Sequence, residues 1–340
     1  MKKFLKVLLW TVGSMIAVIA LLLAITSVVN IVATNSEAEK IESYGQLVDV
    51  DGKKMNVVVS GSGDETIVLL PGFGTAAPGL DFLPLITELS PHFRVVVVEP
   101  FGYGLSDTTE KERTTENIVS EVHEALQTLG ITQYVLGGHS IAGIYGLNYV
   151  ASYPDEVTAF LGIDTSVPGQ PGMDEELPVA EMQIAKSLGL MRVLSGLSDP
   201  YAGLPFDAQT KEQILMLSNK NSLGPNYLSE MKHISSNFAD ALGTTFPQDL
   251  PVLLFVETNN SDIASWADLH TEQAASVAHG EVVFLDGSHY LHHTQSEKIA
   301  ADTKRFLAEI STRSAAASLE PTHPEYAATP GPGTAAAPAP

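Results

Sequence analysis

Residues 134–143 read Tyr-Val-Leu-Gly-Gly-His-Ser-Ile-Ala-Gly and place Ser140 where a short apolar, β-prone run gives way to a helical pattern. A strand that turns this abruptly into a helix strains the backbone at the serine and leaves room only for very small neighbours. Gly138, Ala142 and Gly143 meet that requirement, although the usual G-x-S-x-G pattern would have glycine rather than alanine at position 142. Ser140 is therefore a candidate nucleophile, and an ordinary Gly/Ser turn is the simpler alternative.

Further β-prone runs surround this turn. Residues 46–50 and 54–60 predict a hairpin around Asp51-Gly52, which is a strong turn dipeptide. The other predicted strands are apolar on both faces, which is typical of a buried parallel sheet; they cover residues 66–70, 94–98, 134–136, 159–163, 252–256 and 282–285. Amphipathic helical patterns lie between them. The sequence predicts an α/β fold with an eight-stranded, mostly parallel sheet.

One connection between predicted strands is too long for a simple helical crossover. It runs from Asp164 to Pro251 and contains several apolar clusters at helical spacing, so it predicts an inserted helical cap after the sixth strand. We assign residues 46–164 and 249–311 to the α/β core and residues 165–248 to the cap.

The two ends of the chain differ from this body. Residues 7–33 predict a transmembrane anchor, since residues 7–29 carry no charge and cover roughly 30 Å as a helix. Lysines within residues 1–6 place that basic end in the cytoplasm and the rest of the chain outside. A cleaved signal peptide is the alternative. Residues 34–45 are assigned to a linker and residues 312–340 to a disordered Ala/Pro-rich tail.

Composition excludes several classes of function. The 340 residues carry a formal net charge of −22, so nucleic acid is an unsuitable partner for this chain. The chain has no cysteine, which excludes disulfides, thiol catalysis and thiolate metal sites. The expected partners are a small-molecule substrate and the membrane through residues 7–33.

The arrangement resembles the α/β-hydrolase family over residues 41–310. Four motifs at predicted strand ends carry the resemblance: residues 69–74 (Leu-Leu-Pro-Gly-Phe-Gly), residues 99–106 (Glu-Pro-Phe-Gly-Tyr-Gly-Leu-Ser), the turn at Ser140, and residues 287–289 (Gly-Ser-His). The resemblance implies acyl transfer to Ser140 with His289 as general base. It also implies an oxyanion hole built from the backbone N–H groups of Phe73 and Ile141.

The acid that orients the histidine is ambiguous in the sequence. Family members commonly carry an aspartate in a turn after the seventh strand, where this chain has Asn260. Asp262 follows two residues later, and Glu257 ends the strand. Asp164 ends the sixth strand, a position that resembles the one used by pancreatic-type lipases. We favour Asp164, with Asp262 and Glu257 as alternatives.

Other histidines lie near these positions. His292 and His293 form an H-x-x-H-H pattern with His289 that would suit a metal, but the sequence shows no partner set with zinc spacing. His139 is expected to pack or hydrogen-bond structurally. The sequence therefore predicts no metal site and no cofactor.

Together these features predict a serine hydrolase that cleaves carboxylic esters with small or medium apolar groups. Other acyl chemistry uses the same kind of site, so an amidase, thioesterase, peptidase or acyltransferase stays open. A catalytically inactive, membrane-anchored binding module and a cofactor-free carbon–carbon hydrolase are further alternatives. A serine nucleophile argues against the dehalogenase and epoxide hydrolase branches, which the resemblance implies need an aspartate at that position.

Overall fold

The computed structural model describes residues 1–197 and 199–319. Eight strands form one sheet, in the order β1-β2-β4-β3-β5-β6-β7-β8. Their bounds are β1 Gln46–Val50, β2 Lys53–Ser60, β3 Thr66–Leu70, β4 Arg94–Glu99, β5 Tyr134–His139, β6 Val157–Ile163, β7 Val252–Glu257 and β8 Gly280–Leu285. The strands β1 and β2 pair antiparallel, as do β2 and β4, and every other pair is parallel. The predicted eight-stranded, mostly parallel sheet is confirmed.

Both faces of the sheet are covered by helices. Within the described part of the chain, the helices are α1 Lys2–Ala38, α2 Pro78–Asp81, α3 Leu83–Leu89, α4 Thr115–Thr128, α5 Ala142–Ser152, α6 Val179–Ser187, α7 Leu190–Ser195, α8 Ala208–Asn221, α9 Pro225–Ala241, α10 Trp266–Ala275, α11 Leu291–Thr294 and α12 Ser296–Leu319. Along β3, Val68 and Leu70 pack on the side of α4, α5 and α10, while Ile67 and Leu69 pack on the side of α3 and α12. This alternation follows from the two-residue period of a strand. It explains why the central strands are apolar on both faces.

The parallel arrangement brings the carboxyl ends of β3, β5, β6, β7 and β8 to one edge of the sheet. The turn at Ser140 follows β5 at this edge, and Asp164 directly follows β6. The helices α6 to α9 all lie in the connection between β6 and β7, so this insertion adjoins the same edge.

The terminal helices are longer than the sequence patterns predicted. Helix α1 continues past residue 33 to Ala38, so residues 34–38, which we assigned to the linker, are helical. Helix α12 runs to Leu319, so residues 312–319, which we assigned to the disordered tail, are helical as well. The alanines there support a helix, since alanine has the highest helix propensity, although they offer little apolar bulk. The remainder of the predicted tail, residues 320–340, lies outside the described residues.

Candidate active site

Ser140 occupies the sharp turn between β5 and α5. Its φ is +56°, a left-handed conformation that is uncommon outside glycine. The Ser140 carbonyl accepts hydrogen bonds from the N–H groups of Gly143 (3.0 Å) and Ser166 (2.7 Å), which hold the strained backbone. A Cβ atom on Gly138 would lie 2.4 Å from that of Ala142, so this turn tolerates no side chain at position 138.

His289 lies in the loop after β8 and bridges Ser140 to Asp164. Its Nε2 atom is 2.9 Å from the Ser140 Oγ atom, and its Nδ1 atom is 2.6 Å from Asp164 Oδ2. The imidazole therefore carries its N–H on Nδ1 when it accepts the serine proton at Nε2. The His289 carbonyl also lies 3.0 Å from His139 Nε2, which fixes the loop behind the imidazole.

Asp164 is fully buried and is held by three hydrogen bonds to its carboxylate. Oδ2 faces His289, while Oδ1 accepts from the Glu257 N–H (2.9 Å) and from the Trp266 indole N–H (2.8 Å). Its φ is +46°, so two non-glycine residues in the left-handed region contact the same histidine. Such strain persists where surrounding contacts hold it, and it is common at functional sites.

Two backbone N–H groups border the serine. Phe73, in the loop after β3, and Ile141, directly after Ser140, both line the cavity that contains Ser140 and His289. Within the described part of the chain, neither amide has a hydrogen-bond acceptor. Gly72 lets the loop after β3 lie close to His139, since a Cβ atom on Gly72 would lie 2.6 Å from His139 Nδ1. Both amides are thus free to donate to a ligand.

The cavity next to Ser140 has a volume of about 390 Å³, and most of its lining is apolar. The apolar lining comes from several elements and consists of Phe73, Ile141, Met173, Leu177, Ile234, Phe238, Ile263 and Trp266. The helix α9 and the loop before α6 supply part of it, so the insertion forms one wall. The volume suits a small organic ligand.

Comparisons with known proteins agree with this architecture. A model of the α/β hydrolase fold matches residues 65–192. The chain has an α/β-hydrolase fold. It is similar to the uncharacterized protein YbdG of Bacillus subtilis strain 168, at 26% identity over 91% of this chain and 100% of that protein.

Solved structures share the fold at low sequence identity. An enol-lactonase from Burkholderia xenovorans LB400 superposes with a TM-score of 0.59 at 19% identity, covering 77% of this chain and all of that one. An epoxide hydrolase from Vigna radiata superposes with a TM-score of 0.60 at 19% identity, covering 78% of this chain and 97% of that one. Identities this low show the shared α/β-hydrolase fold alone.

The two alternative acids lie on the cavity wall but have other partners. Glu257 Oε1 accepts from the Asn260 side-chain amide at 2.6 Å, and the exposed Asp262 carboxylate faces the Ser261 hydroxyl at 3.2 Å. Asn260 Oδ1 accepts from the N–H groups of Asp262 and Ile263, so it shapes this turn. Burial, and then the charge of Asp164, raises the pKa of Glu257. The carboxylate that the structure brings to His289 is that of Asp164.

The two remaining histidines of the H-x-x-H-H pattern converge on a residue that the sequence analysis did not connect to them. His292 Nε2 is 2.7 Å from Asp81 Oδ2, and His293 Nε2 is 2.9 Å from Asp81 Oδ1. All three side chains are buried and close enough together to surround an ion. The premise that the two histidines have no acidic partner was wrong. The partner, Asp81, could not be recognised from spacing because it lies 211 residues from His292 in the chain.

Hydrogen bonding accounts for this cluster without an ion. Each imidazole donates to a different oxygen of one carboxylate, so both Asp81 oxygens are satisfied. Burial opposes ionisation of Asp81, but the charges and hydrogen bonds of His292 and His293 outweigh burial and lower its pKa. Among the described residues, His292 Nδ1 has no hydrogen-bond partner. A metal-bound histidine almost always donates its second ring N–H to a carboxylate, carbonyl or water, so His292 lacks this feature of metal ligands. The cluster therefore fits a structural role beneath the His289 loop.

Sequence reasoning missed Trp266 as a site residue. Its indole N–H reaches Asp164 from α10, 102 residues further along the chain. No spacing rule connects a helix-start tryptophan to a strand-end aspartate, so only the three-dimensional packing reveals the contact. The chain offers one weak signal, which is that Trp266 is one of two tryptophans and follows β7 closely.

Proposed function

We propose that the protein is a serine hydrolase that cleaves carboxylic esters through an acyl-enzyme on Ser140. The observation that carries this proposal is the continuous chain of hydrogen bonds from Ser140 Oγ through His289 to Asp164. A serine hydroxyl is a weak nucleophile at neutral pH, and an adjacent base oriented by a third group activates it.

The geometry supports a two-stage reaction. His289 Nε2 removes the Ser140 proton while Oγ attacks the ester carbonyl carbon, and Asp164 stabilises the imidazolium that forms. The N–H groups of Phe73 and Ile141 are positioned to donate to the resulting oxyanion, and one such donor is worth about 3–4 kcal/mol of barrier. His289 then protonates the departing alcohol. Water, deprotonated by the same imidazole, attacks the acyl group and releases the acid and the free serine.

The cavity favours apolar ester groups. Its eight hydrophobic side chains offer dispersion contacts, and the polar residues that also line it, among them Gln170, Glu175 and Asp262, leave most of the lining apolar. We therefore expect small to medium apolar acyl or alcohol groups. Amide, thioester and acyl-transfer chemistry would use the same serine, and a binding module would use the cavity without the chemistry.

A fluorophosphonate probe tests this proposal, because it phosphonylates an activated serine with loss of fluoride and does not react with an ordinary serine. We expect the full-length protein to be labelled and the Ser140→Ala variant to remain unlabelled. Ser166→Ala is the matched control, since Ser166 lines the same cavity and is expected to leave labelling intact. Labelling that survives in Ser140→Ala, or an unlabelled folded wild type, would exclude the proposed nucleophile.

Hydrolysis of p-nitrophenyl esters of increasing chain length then separates the acyl chemistries. We expect turnover of esters above that of matched anilides. A labelled protein that cleaves the anilides and not the esters would reassign the reaction to amide hydrolysis.

We further propose that the hydrolase is anchored by α1 with its catalytic domain outside the cytoplasm. Among the described residues, α1 is the helix long and apolar enough to cross a membrane. The basic residues before its apolar stretch favour a cytoplasmic N-terminus.

A further inference from the structure

The polar end of helix α1 is bound to the inserted helices. Thr26 Oγ1 donates to the Leu188 carbonyl at 2.8 Å, and Ser27 Oγ donates to the Ser187 carbonyl at 2.7 Å. These carbonyls end α6, so two helix-terminal acceptors are satisfied by side chains of α1. Gly189 allows the close approach, because a Cβ atom there would lie 2.6 Å from the Thr26 carbonyl oxygen.

An ion pair strengthens the same contact. The Arg192 guanidinium on α7 binds both carboxylate oxygens of Glu37 at 2.5 and 2.8 Å. It also donates to Asn30 Oδ1 (3.1 Å) and to Thr34 Oγ1 (2.8 Å). A planar guanidinium that contacts three residues along one helix fixes α7 against α1.

These contacts set the height of α6 and α7 relative to a bilayer. A helix needs about 20 residues to cross a hydrocarbon core of roughly 30 Å. Counted from Val7, the first residue after the lysines, such a span ends close to Thr26. With the span counted from Val7, the junction of α6 and α7 lies at its outer end.

This junction exposes large apolar side chains. No element among the described residues 1–197 and 199–319 buries them, and they are Ile184 (58% exposed), Met191 (42%), Val193 (44%), Leu194 (58%) and Leu197 (78%). We call this set the apolar cap surface. Several exposed apolar side chains on two consecutive helices are typical of an interaction surface. None of the apolar stretch of α1 is buried in the protein, and the anchor proposed above places the bilayer that covers this stretch beside them.

The same segment leads into the cavity at Ser140. Met173 and Leu177 line the cavity, and α6 begins at Val179, two residues after Leu177. Leu177 is itself exposed on its other side. A molecule that leaves the lipid phase beside α6 therefore has Leu177 and Met173 between it and the serine, with the exposed acidic residues 174–176 beside them.

We propose that the apolar cap surface is inserted in the outer leaflet and that the substrate enters from the bilayer, as an ester of a membrane lipid or of another membrane-partitioned molecule. The substrate part of this inference rests on the hydrolase activity proposed above, whereas the insertion does not. Attraction is apolar rather than ionic, because the two basic side chains of this segment, Lys186 and Arg192, are already bonded to the Asn219 carbonyl and to Glu37.

Depth measurement tests the insertion without any chemistry. The chain has no cysteine, so Leu194→Cys and Leu197→Cys can each carry a single nitroxide label in the full-length protein. In phosphatidylcholine nanodiscs, we expect both labels to collide more with oxygen than with a water-soluble nickel chelate. Phe284→Cys, an exposed apolar position on the opposite edge strand β8, is the control and should show the reverse. Nickel accessibility at 194 and 197 equal to that at 284 would overturn the insertion.

Activity in the same nanodiscs tests the route of the substrate. For the Leu194→Glu/Leu197→Glu double variant we expect the rate on a bilayer-embedded long-chain ester, relative to that on a water-soluble butyrate ester, to fall about tenfold, since charges leave the interface. Phe284→Glu should keep the wild-type ratio. An unchanged ratio in the double variant would overturn lipid entry, and loss of both rates with intact fluorophosphonate labelling would overturn it as well. Failure of the hydrolase proposal is distinguished by the absence of labelling in the wild type.

Discussion

Two residues with left-handed backbones converge on one imidazole. Ser140 and Asp164 each follow a parallel strand, at φ of +56° and +46°, and β5 and β6 are neighbours in the sheet. Each strained turn projects its side chain away from the strand end and toward His289. The Asp164 backbone N–H donates to the Phe255 carbonyl at 2.7 Å, so neighbouring strands hold the conformation. Asparagine is the common non-glycine substitute in this region, so Asp164→Asn can preserve the backbone.

Replacing Asp164 by asparagine should lower kcat/KM by about 10³–10⁴-fold, because an amide stabilises the imidazolium less and favours the wrong histidine tautomer. Asp262→Asn should change it by less than about threefold, since the Asp262 carboxylate is exposed and bonds its neighbour Ser261. Steady-state kinetics on one ester measures both variants, with thermal melting to check folding. A larger loss in Asp262→Asn than in Asp164→Asn would contradict the geometry.

The sequence allowed part of this site to be predicted. Ser140 and His289 could be identified because local motifs surround them, and the structure places them 2.9 Å apart. The acid could not be assigned uniquely, because Asp164, Asp262 and Glu257 all lie near strand ends that face the same edge. The choice depends on side-chain direction, which for Asp164 is set by its positive φ and by Trp266. Neither is visible in a spacing pattern.

At the level of elements, helix α9 is attached to the core by a buried carboxylate. Glu230 accepts from the Tyr145 hydroxyl at 2.5 Å and from the Tyr103 hydroxyl at 2.7 Å. Tyr103 follows β4 and Tyr145 belongs to α5, so one side chain of the insertion joins two parts of the core. Burial raises the pKa of Glu230, although the two tyrosine hydroxyls oppose that shift.

This raised pKa predicts a pH-dependent contribution to stability. The folded protein retains the Glu230 proton more strongly than the unfolded chain does. The stability that this proton contributes is therefore fully present below the pKa of Glu230 in the unfolded chain, and it is lost as pH rises through the higher pKa of Glu230 in the folded protein. Glu230→Gln keeps a neutral acceptor and removes the titration. We expect its melting temperature, relative to wild type, to increase as pH rises from about 4 toward neutrality, by about 2–4 °C for each kcal/mol recovered.

Thermal melting over that pH range measures this effect. Glu110→Gln is the control, because Glu110 is exposed, and its difference from wild type should stay flat. A Glu230→Gln difference that is constant or falls with pH would contradict the buried-carboxylate argument.

The elements themselves differed in how well the sequence located them. Strands of the sheet were predicted within a few residues, since burial on two faces demands apolar runs such as 94–98 and 252–256. Helix ends were predicted less well. An apolar sequence pattern ends where the helix is no longer buried or in the membrane, whereas the helix itself continues as long as its backbone hydrogen bonds form. Helix α1 thus continues to Ala38, and Glu37 in its last turn binds Arg192.

At the scale of the whole molecule, helix α1 is long and apolar enough to cross a membrane, and it also supports the inserted helices. Its apolar part is exposed throughout, and its last turns bind the inserted helices through Thr26, Ser27 and Arg192. A cleaved signal peptide would lose these contacts with the mature protein, leaving the carbonyls of α6 and the Arg192 guanidinium without their partners. The contacts therefore favour retention of α1 in the mature protein.

Single cysteines introduced into this cysteine-free chain can test that topology. We expect Leu47→Cys, at an exposed position on β1, to react with a membrane-impermeant maleimide on intact bacterial spheroplasts. Lys3→Cys, before the apolar stretch, should react only after the membrane is opened, because lysines before a span favour the cytoplasmic side. Both variants should remain in the membrane pellet after alkaline carbonate washing. Carbonate removes proteins that are held at the membrane by ionic contacts, and it does not extract a helix that spans the bilayer. Labelling of Lys3→Cys from outside would reverse the orientation, and recovery of a shortened Leu47→Cys protein in the soluble fraction would instead establish cleavage and separate the hydrolase domain from the bilayer.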